Sequence, residues 1–226
     1  MPRPFVILMT GRTGSSYLVS ALQSHPRAMV VGERLVGLPE ASEQLAWIER
    51  FYRRRRFRIK SVGFKTKLKD VVDRDALAEV LLRHEAGVIM VLRRDALRQA
   101  ISVIRARELN AAHGVWNQTA NTPDLEPSLV DLADLDAVLA DVSERNIELD
   151  DFVSTLDLPK HVVHYEELLA DPTGTLGAVQ DFLGLRRRAL TASTRKNTAD
   201  DLKLTIRNYD EMREHLVGTE YERFLA

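Results

Sequence analysis

Short apolar runs alternate with helical periodicity along most of this chain. Runs rich in Val, Ile or Phe predict buried strands at Phe5–Met9, Ala28–Gly32, Ser61–Lys65, Val88–Leu92 and His161–Tyr165. Between these runs, apolar residues recur at helical spacing around Leu18 and Leu22, Leu45 to Phe51, Leu77 to Leu81, and Leu97 to Ile104. The alternation predicts an α/β fold of three layers, α/β/α, around a central, mainly parallel sheet of about five strands.

The remainder of the chain departs from this rhythm in three places. Asp171-Pro172 predicts a helix start and Gly184 its end. Residues 131–157 predict a helical insertion, either one long amphipathic helix or a pair. Residues 110–128 are irregular and carry an isolated Trp116, and we expect them to form a lid loop on the acceptor side. We expect one domain over residues 1–226.

Composition narrows the possible functions. With 226 residues, 45% of them hydrophobic, the chain can bury a substantial core. A net charge of −1 argues against binding to nucleic acid or to an anionic membrane, and the absence of cysteine excludes disulfides, a thiol nucleophile and thiolate metal sites. The apolar runs are too short for a transmembrane segment and no charged leader precedes one, so we expect a cytoplasmic protein.

The first predicted strand leads directly into a glycine-containing loop and then a helix. Gly11-Arg12-Thr13-Gly14 followed by Ser15-Ser16-Tyr17 offers backbone N–H groups, hydroxyls and one guanidinium to a phosphate-like anion. The loop differs from a Walker loop because its glycines are three apart and no Lys follows Gly14, which argues against a magnesium-dependent nucleotide triphosphatase. A purely structural strand-to-helix turn remains an alternative.

A second candidate anion site follows the fourth predicted strand. Arg94 lies at the strand exit, and Ser102 comes eight residues later, about two turns into the next predicted helix. Together with the first loop, this pair suggests a ligand with two separated anionic groups.

These motifs resemble the P-loop-like sulfotransferases that use 3′-phosphoadenosine 5′-phosphosulfate. The resemblance spans residues 5 to 185 and includes Tyr165-Glu166-Glu167-Leu168 before the helix that ends at Phe182-Leu183-Gly184. It implies that the 5′-phosphosulfate is bound by Gly11, Arg12, Thr13, Gly14, Ser15, Ser16 and Tyr17. It also implies that Arg94 and Ser102 bind the 3′-phosphate.

A narrower resemblance is to bacterial carbohydrate sulfotransferases of the nodulation-factor and trehalose types. It is carried by Leu18-Val19-Ser20-Ala21-Leu22, then His25-Pro26, then Gly32-Glu33. In those relatives a Glu at the position of Glu33 is the base, whereas cytosolic small-molecule enzymes use a His in a Lys-Thr-His motif. This chain has Lys65-Thr66-Lys67 instead, which favours Glu33. Arg12 and Lys65 are then expected to stabilise the leaving phosphate.

Several assignments have structural alternatives. Glu33 could pair with Arg34 or Arg12, Lys65 could be a solvated strand end, and Tyr165 could be a core aromatic rather than a contact to adenosine. Arg195 and Lys196 resemble a basic loop over the 3′-phosphate, although Asn197 replaces the Gly of that loop. Lys67 and Arg98 lie near the motifs but could face water. The cluster Arg53–Arg58 is interpreted as a solvated helix end, with an anion site as the alternative.

The sequence thus predicts a sulfotransferase that moves a sulfuryl group to a hydroxyl, on a carbohydrate or glycolipid, and releases adenosine 3′,5′-bisphosphate without a metal. A small-molecule or nucleoside kinase of related fold, and a non-catalytic nucleotide-binding scaffold, remain alternatives. The oligomeric state stays open.

Overall fold

A parallel five-stranded sheet forms the centre of the protein. The computed structural model describes residues 2–54, 57–116, 125–193 and 201–225. The strands are β1 (Arg3–Met9), β2 (Ala28–Val31), β3 (Ser61–Lys67), β4 (Gly87–Leu92) and β5 (Lys160–His164), in the spatial order β2-β3-β1-β4-β5. All of the pairings are parallel. The predicted fold class and the five predicted strands are therefore confirmed.

Helices follow the strands as the apolar spacing predicts. They are α1 (Ser15–Gln23), α2 (Ala41–Arg53), α3 (Arg74–Arg83), α4 (Ala96–His113), α5 (Leu132–Thr155), α6 (Tyr165–Ala170), α7 (Pro172–Phe182) and α8 (Tyr209–Leu216). The side chain of Asp171 accepts a hydrogen bond from the Gly174 N–H at 2.8 Å, and Pro172 occupies the first turn of α7. These two features explain why that helix begins where the sequence predicts.

Three boundaries differ from the predicted ones. The last strand ends at His164, and Tyr165 begins the short helix α6 instead of ending the strand. Helix α4 continues to His113 and ends at Gly114, whose φ of 69° suits glycine, so the segment predicted to be irregular begins later than residue 110. The long amphipathic segment forms the single helix α5 rather than a pair.

Strand alternation sends side chains of β1 into two separate cores. Val6 and Leu8 pack into a cluster with residues of α2, α3 and the later part of α5. Phe5, Ile7 and Met9 pack into a second cluster with residues of α1, α6 and α7. Because both faces of the sheet are covered by helices, all of these β1 side chains are buried. This arrangement confirms the predicted three-layer architecture.

The described residues divide into two compact units. One contains residues 2–92 and 146–192, and with them the whole sheet. The other contains residues 93–145 and those from 193 onward, and it has its own apolar core, to which Leu97, Leu139, Ile206 and Met212 contribute. The buried Arg105 lies in this second unit and donates hydrogen bonds to Ser128 Oγ (2.8 Å) and the Thr205 carbonyl (3.2 Å).

The contact between Gly63 and Phe5 allows a test of packing in the sheet. A Cβ atom added to Gly63 would lie 2.5 Å from ring carbons of Phe5, which is completely buried and pairs with Gly63 in the parallel ladder. We expect Gly63→Ala to lower the free energy of unfolding by about 1–3 kcal/mol, measured by urea denaturation, because overpacking displaces the ring.

Gly37→Ala is the matched control. A Cβ at Gly37 meets no atom within 4 Å, so its effect should stay within about 0.5 kcal/mol. Equal stability of the two variants would show that Phe5 can move without cost.

Candidate active site

The loop between β1 and α1 has an unusual backbone. Arg12 has a φ of 65° and Gly14 has a φ of 79°, so two residues of the loop are in the left-handed region. Such a turn, placed before a helix N-terminus, aims successive N–H groups at one point, which is the geometry of an anion-binding nest. Helix α1 begins at Ser15, and its N-cap residue is Gly14, which has no side chain to cap the first turn.

Gly14 is required for a second reason. A Cβ atom at this position would lie 2.8 Å from Cδ2 of Tyr165. The ring of Tyr165 therefore packs against the loop backbone from the start of α6. Whether Tyr165 also contacts a nucleotide stays a prediction.

Thr13 carries the buried polar atom of this loop that lacks a partner. Its side chain is completely buried, and its Oγ1 has no hydrogen-bond partner among the described residues. Buried hydroxyls nearly always form a hydrogen bond, so this one suits a ligand with acceptor oxygens. Ser15 is also buried, at 5% exposure. The loop thus fits the oxygens of a phosphate or sulfate group.

Two lysines of β3 and one glutamate after β2 form an ion cluster beside this loop. Lys65 Nζ lies 2.9 Å from Glu33 Oε1 and donates a hydrogen bond to Ser16 Oγ at 3.0 Å. Lys67 Nζ forms an ion pair with Glu33 Oε2. Because β2 and β3 are parallel neighbours, their carboxyl ends bring these side chains to the same edge of the sheet. Lys65 therefore links the loop and the carboxylate.

Neighbouring charges and burial have opposite effects on the pKa of the Glu33 carboxyl. Burial by itself would raise the pKa of the Glu33 carboxyl, but the Lys65 and Lys67 ammonium groups outweigh burial and lower it. Lys65 is only 5% exposed, so its charge is compensated by Glu33 rather than by water. The predicted alternatives, a Glu33 paired with arginine and a solvated Lys65, do not match this geometry.

The sequence patterns assign Lys67, a member of this cluster, only a secondary place, and they do not indicate Asn146 beside the loop. Lys67 also lies 3.6 Å from Asp70 Oδ2, which fixes its ammonium group on the far side of Glu33. The signal was present in the sequence, since residues 65 and 67 of one strand must point to the same face. Asn146 accepts a hydrogen bond from Thr10 Oγ1 at 2.9 Å, and no sequence pattern indicates this contact.

The chain is similar to known proteins along its full length. The chain is 26% identical over 237 residues to nodulation protein H of Rhizobium tropici, covering 99% of this chain and 93% of the relative. It is 27% identical over 241 residues to nodulation protein H of Rhizobium meliloti, covering 99% and 95%. No protein-family model matches the chain.

The fold is shared with solved structures. A sulfotransferase from Alicyclobacillus acidocaldarius has a TM-score of 0.52 at 15% identity, covering all of this chain and 96% of that one. A mouse sulfotransferase complexed with PAP has a TM-score of 0.53 at 14% identity, covering 99% and 88%. The chain is thus similar to nodulation protein H along its full length and shares the fold of solved sulfotransferases. The relatives along the full length and the shared fold agree with the resemblance that the sequence motifs indicate.

The second predicted anion motif lies in the other compact unit. Arg94 is exposed just beyond β4, and Ser102 is buried in the second turn of α4, where the sequence predicts them. The side chain of Asp95 caps α4 at the Arg98 N–H (2.7 Å) and pairs with Arg98 Nε at 3.1 Å. The assignment of Arg94 and Ser102 to a 3′-phosphate stays a prediction.

Other features predicted from the sequence lie partly outside the described residues. Arg195 and Lys196 lie outside the described residues, as do Arg55, Arg56 and residues 117–124 of the predicted lid. Arg53 Nη2 lies 3.0 Å from Glu49 Oε2, so this arginine forms an ion pair within α2. In the described ranges, no helix is long and apolar enough to cross a membrane, and no cluster of His, Asp and Glu could hold a metal.

The lowered pKa of Glu33 predicts a specific dependence of stability on pH. A carboxyl whose pKa falls on folding stabilises the native state above its unfolded pKa, and this contribution is lost as the pH falls through the folded value. We expect Glu33→Gln to lower the free energy of unfolding by roughly 1–2 kcal/mol at pH 7, because it leaves Lys65 without its counter-charge.

The difference between wild type and Glu33→Gln should shrink as the pH falls through the pKa of Glu33, when measured by urea denaturation from pH 7 to pH 3. A difference independent of pH would contradict the ion cluster.

Proposed function

We propose that this protein transfers a sulfuryl group from 3′-phosphoadenosine 5′-phosphosulfate to a hydroxyl group of a carbohydrate or glycolipid. The observation that carries the proposal is the position of Lys65, which contacts both Ser16 at the start of α1 and the Glu33 carboxylate. In-line transfer from a phosphate oxygen to a hydroxyl needs a cation beside the leaving phosphate and a base beside the hydroxyl. Lys65 lies between the anion loop and the carboxylate, where these two groups would meet.

The loop is the proposed site of the 5′-phosphosulfate. The N–H groups at the start of α1, the Thr13 and Ser16 hydroxyls and the Arg12 guanidinium would bind its oxygens. The unpartnered Thr13 Oγ1 supports this assignment. The mouse sulfotransferase that shares the fold is complexed with PAP, which also supports an adenosine-phosphate donor.

Sulfuryl transfer breaks the bond between sulfur and the bridging phosphate oxygen while the acceptor oxygen bonds to sulfur. The acceptor proton goes to the Glu33 carboxylate, and the negative charge that develops on the leaving phosphate is stabilised by Lys65 and Arg12. In the structure, Lys65 is engaged by Glu33. As Lys65 turns toward the leaving phosphate, Glu33 keeps only Lys67, so its pKa rises and it becomes a stronger base.

The remaining assignments rest on the sequence resemblance. Arg94 and Ser102, with Arg195 and Lys196, are proposed to bind the 3′-phosphate, and Tyr165 to pack near the adenosine. The carbohydrate acceptor rests on the resemblance to bacterial carbohydrate sulfotransferases. We also propose a single domain, with an acceptor-side lid in the part of residues 110–128 that follows α4 and with 131–157 as a helical insertion. The absence of cysteine is compatible with the cytoplasm.

Donor identity is tested by titration calorimetry with adenosine 3′,5′-bisphosphate and, separately, with ATP and Mg²⁺. We expect the bisphosphate to bind more tightly, and Arg94→Ala to weaken it by about 1.5–3 kcal/mol, the loss of a charge-assisted hydrogen bond. Transfer is then assayed with isotopically labelled donor and carbohydrate acceptors, with mass spectrometry for added SO3. A preference for ATP, or bisphosphate binding without transfer to any acceptor, would refute the proposal.

The role of Glu33 is tested by separating turnover from binding. Glu33→Gln should lower kcat by about a hundredfold to ten-thousandfold, since the acceptor proton loses its base. Its affinity for the bisphosphate should stay equal to or exceed that of the wild type, because Lys65 is released from the carboxylate.

Asp70→Asn is the matched control. It changes a carboxylate that contacts Lys67 but not Lys65, so kcat should fall far less. Equal losses in the two variants would remove Glu33 as the base.

A further inference from the structure

A basic cavity lies at the edge of the sheet opposite the candidate active site. Its volume is about 800 Å³, and it is lined by residues 25, 27 and 60 and by residues 184–189. Arg27 directly precedes β2 and Lys60 directly precedes β3, so the cavity faces the amino ends of these strands. Glu33 and Lys67, in contrast, lie at their carboxyl ends. The two sites therefore share no residue.

The side chains that line this cavity are strongly basic. Among the residues that the structure describes, five cationic side chains line it and no carboxylate does: Arg27, Lys60, Arg186, Arg187 and Arg188. Arg187 pairs with Asp181, with Nε to Oδ2 at 2.9 Å. Within the part of the chain that the structure describes, the side chains of Arg27, Lys60, Arg186 and Arg188 form no ion pair or hydrogen bond, and all four residues are exposed. Four cations thus remain available to a ligand.

Buried polar side chains fix the backbone that carries these cations. His25 is 2% exposed; its Nε2 lies 3.1 Å from the Arg186 carbonyl, and its Nδ1 accepts a hydrogen bond from the Arg27 N–H at 3.1 Å. His25 thereby ties the segment after α7 to the start of β2. Since Nδ1 accepts, Nε2 carries the proton.

A second tether acts on the same segment. Gln180 is 1% exposed, donates to the Arg188 carbonyl at 3.1 Å and accepts from the Arg188 N–H at 2.9 Å. The Lys60 N–H donates to the Arg27 carbonyl at 2.8 Å. The cations are therefore presented from a backbone held at several points, so a ligand would not need to order it.

Grouping like charges without counter-ions costs free energy in the absence of a ligand. The carboxyl-terminal ends of α1 and α7 adjoin the cavity, and their partial negative charge offsets part of that cost. We propose that this cavity binds a small ligand that carries two or more phosphate or sulfate groups, at a site separate from the donor site. Multiple charges on one ligand match cations that three separate segments contribute, whereas a single phosphate reaches only some of them.

The proposal is tested by titrating tripolyphosphate into the full chain by calorimetry. The variant is Arg186→Gln with Arg188→Gln, which removes two cavity cations whose side chains form no described contact. We expect wild type to bind saturably, and the variant to bind at least about tenfold more weakly. Inorganic phosphate should bind more weakly than tripolyphosphate to the wild type.

The matched control is Arg50→Gln with Arg213→Gln, which removes the same charge from exposed arginines that do not line the cavity. This control should bind tripolyphosphate as wild type does. Equal weakening in both double variants would show a non-specific charge effect and overturn the proposal. Unchanged binding in the cavity variant would also overturn it, since tripolyphosphate would then occupy another site such as the first loop.

Two further measurements complete the test. Thermal unfolding without ligand should show the cavity variant at least as stable as wild type, because repulsion is relieved while the His25 and Gln180 hydrogen bonds persist. Co-sedimentation with phosphatidylglycerol vesicles tests whether the phosphate groups that bind the cavity belong to lipid headgroups. Vesicle binding that depends on Arg186 and Arg188, without binding of tripolyphosphate, would overturn a small-ligand cavity in favour of a membrane surface.

Discussion

The pairing of β3 with β1 is the interaction on which the candidate active site depends. The ladder sets Lys65 opposite Ile7 and Lys67 opposite Met9, so both lysines stand on the face of the sheet that α1 covers. A slip of one residue would turn both ammonium groups toward the apolar cluster of α2 and α3. The close contact of Gly63 with Phe5 favours the observed register, since only glycine fits opposite that ring. The register of β3 against β1 thus fixes both the packing within the sheet and the positions of the two lysines at its carboxyl edge.

Ion pairs and a hydrogen bond then connect the carboxyl ends of β2 and β3 with the loop after β1. Lys65 is too buried to be neutralised by water, and Glu33 is its counter-charge. Glu33 in turn holds Lys67, which Asp70 also contacts. Because each of these charges has a partner, the cluster is stable without a ligand, and a newly arriving anion has to compete for Lys65. This competition connects the occupancy of the loop with the basicity of the carboxylate.

The sequence was informative where burial imposes a simple pattern. Strands such as β1 and β4 are covered on both faces, so their runs are almost continuously apolar and their positions could be predicted. Helix α6 could not, because a helix of six residues has too few apolar positions to show a period. Glu33, Lys65 and the loop were predicted from motifs. Their mutual contacts, and that of Thr10 with Asn146, depend on strand order and helix placement, which local patterns do not encode.

The packing of Tyr165 on Gly14 also has a consequence for the order of folding. The two residues are far apart in the chain, and Tyr165 reaches the loop only after β5 has added to the edge of the sheet beside β4. Closing the chain between distant residues costs entropy that the contact must offset. We infer that the loop gains the support of Tyr165 only once β5 has paired with β4, so a partly folded chain that lacks β5 would hold the central strands without this contact.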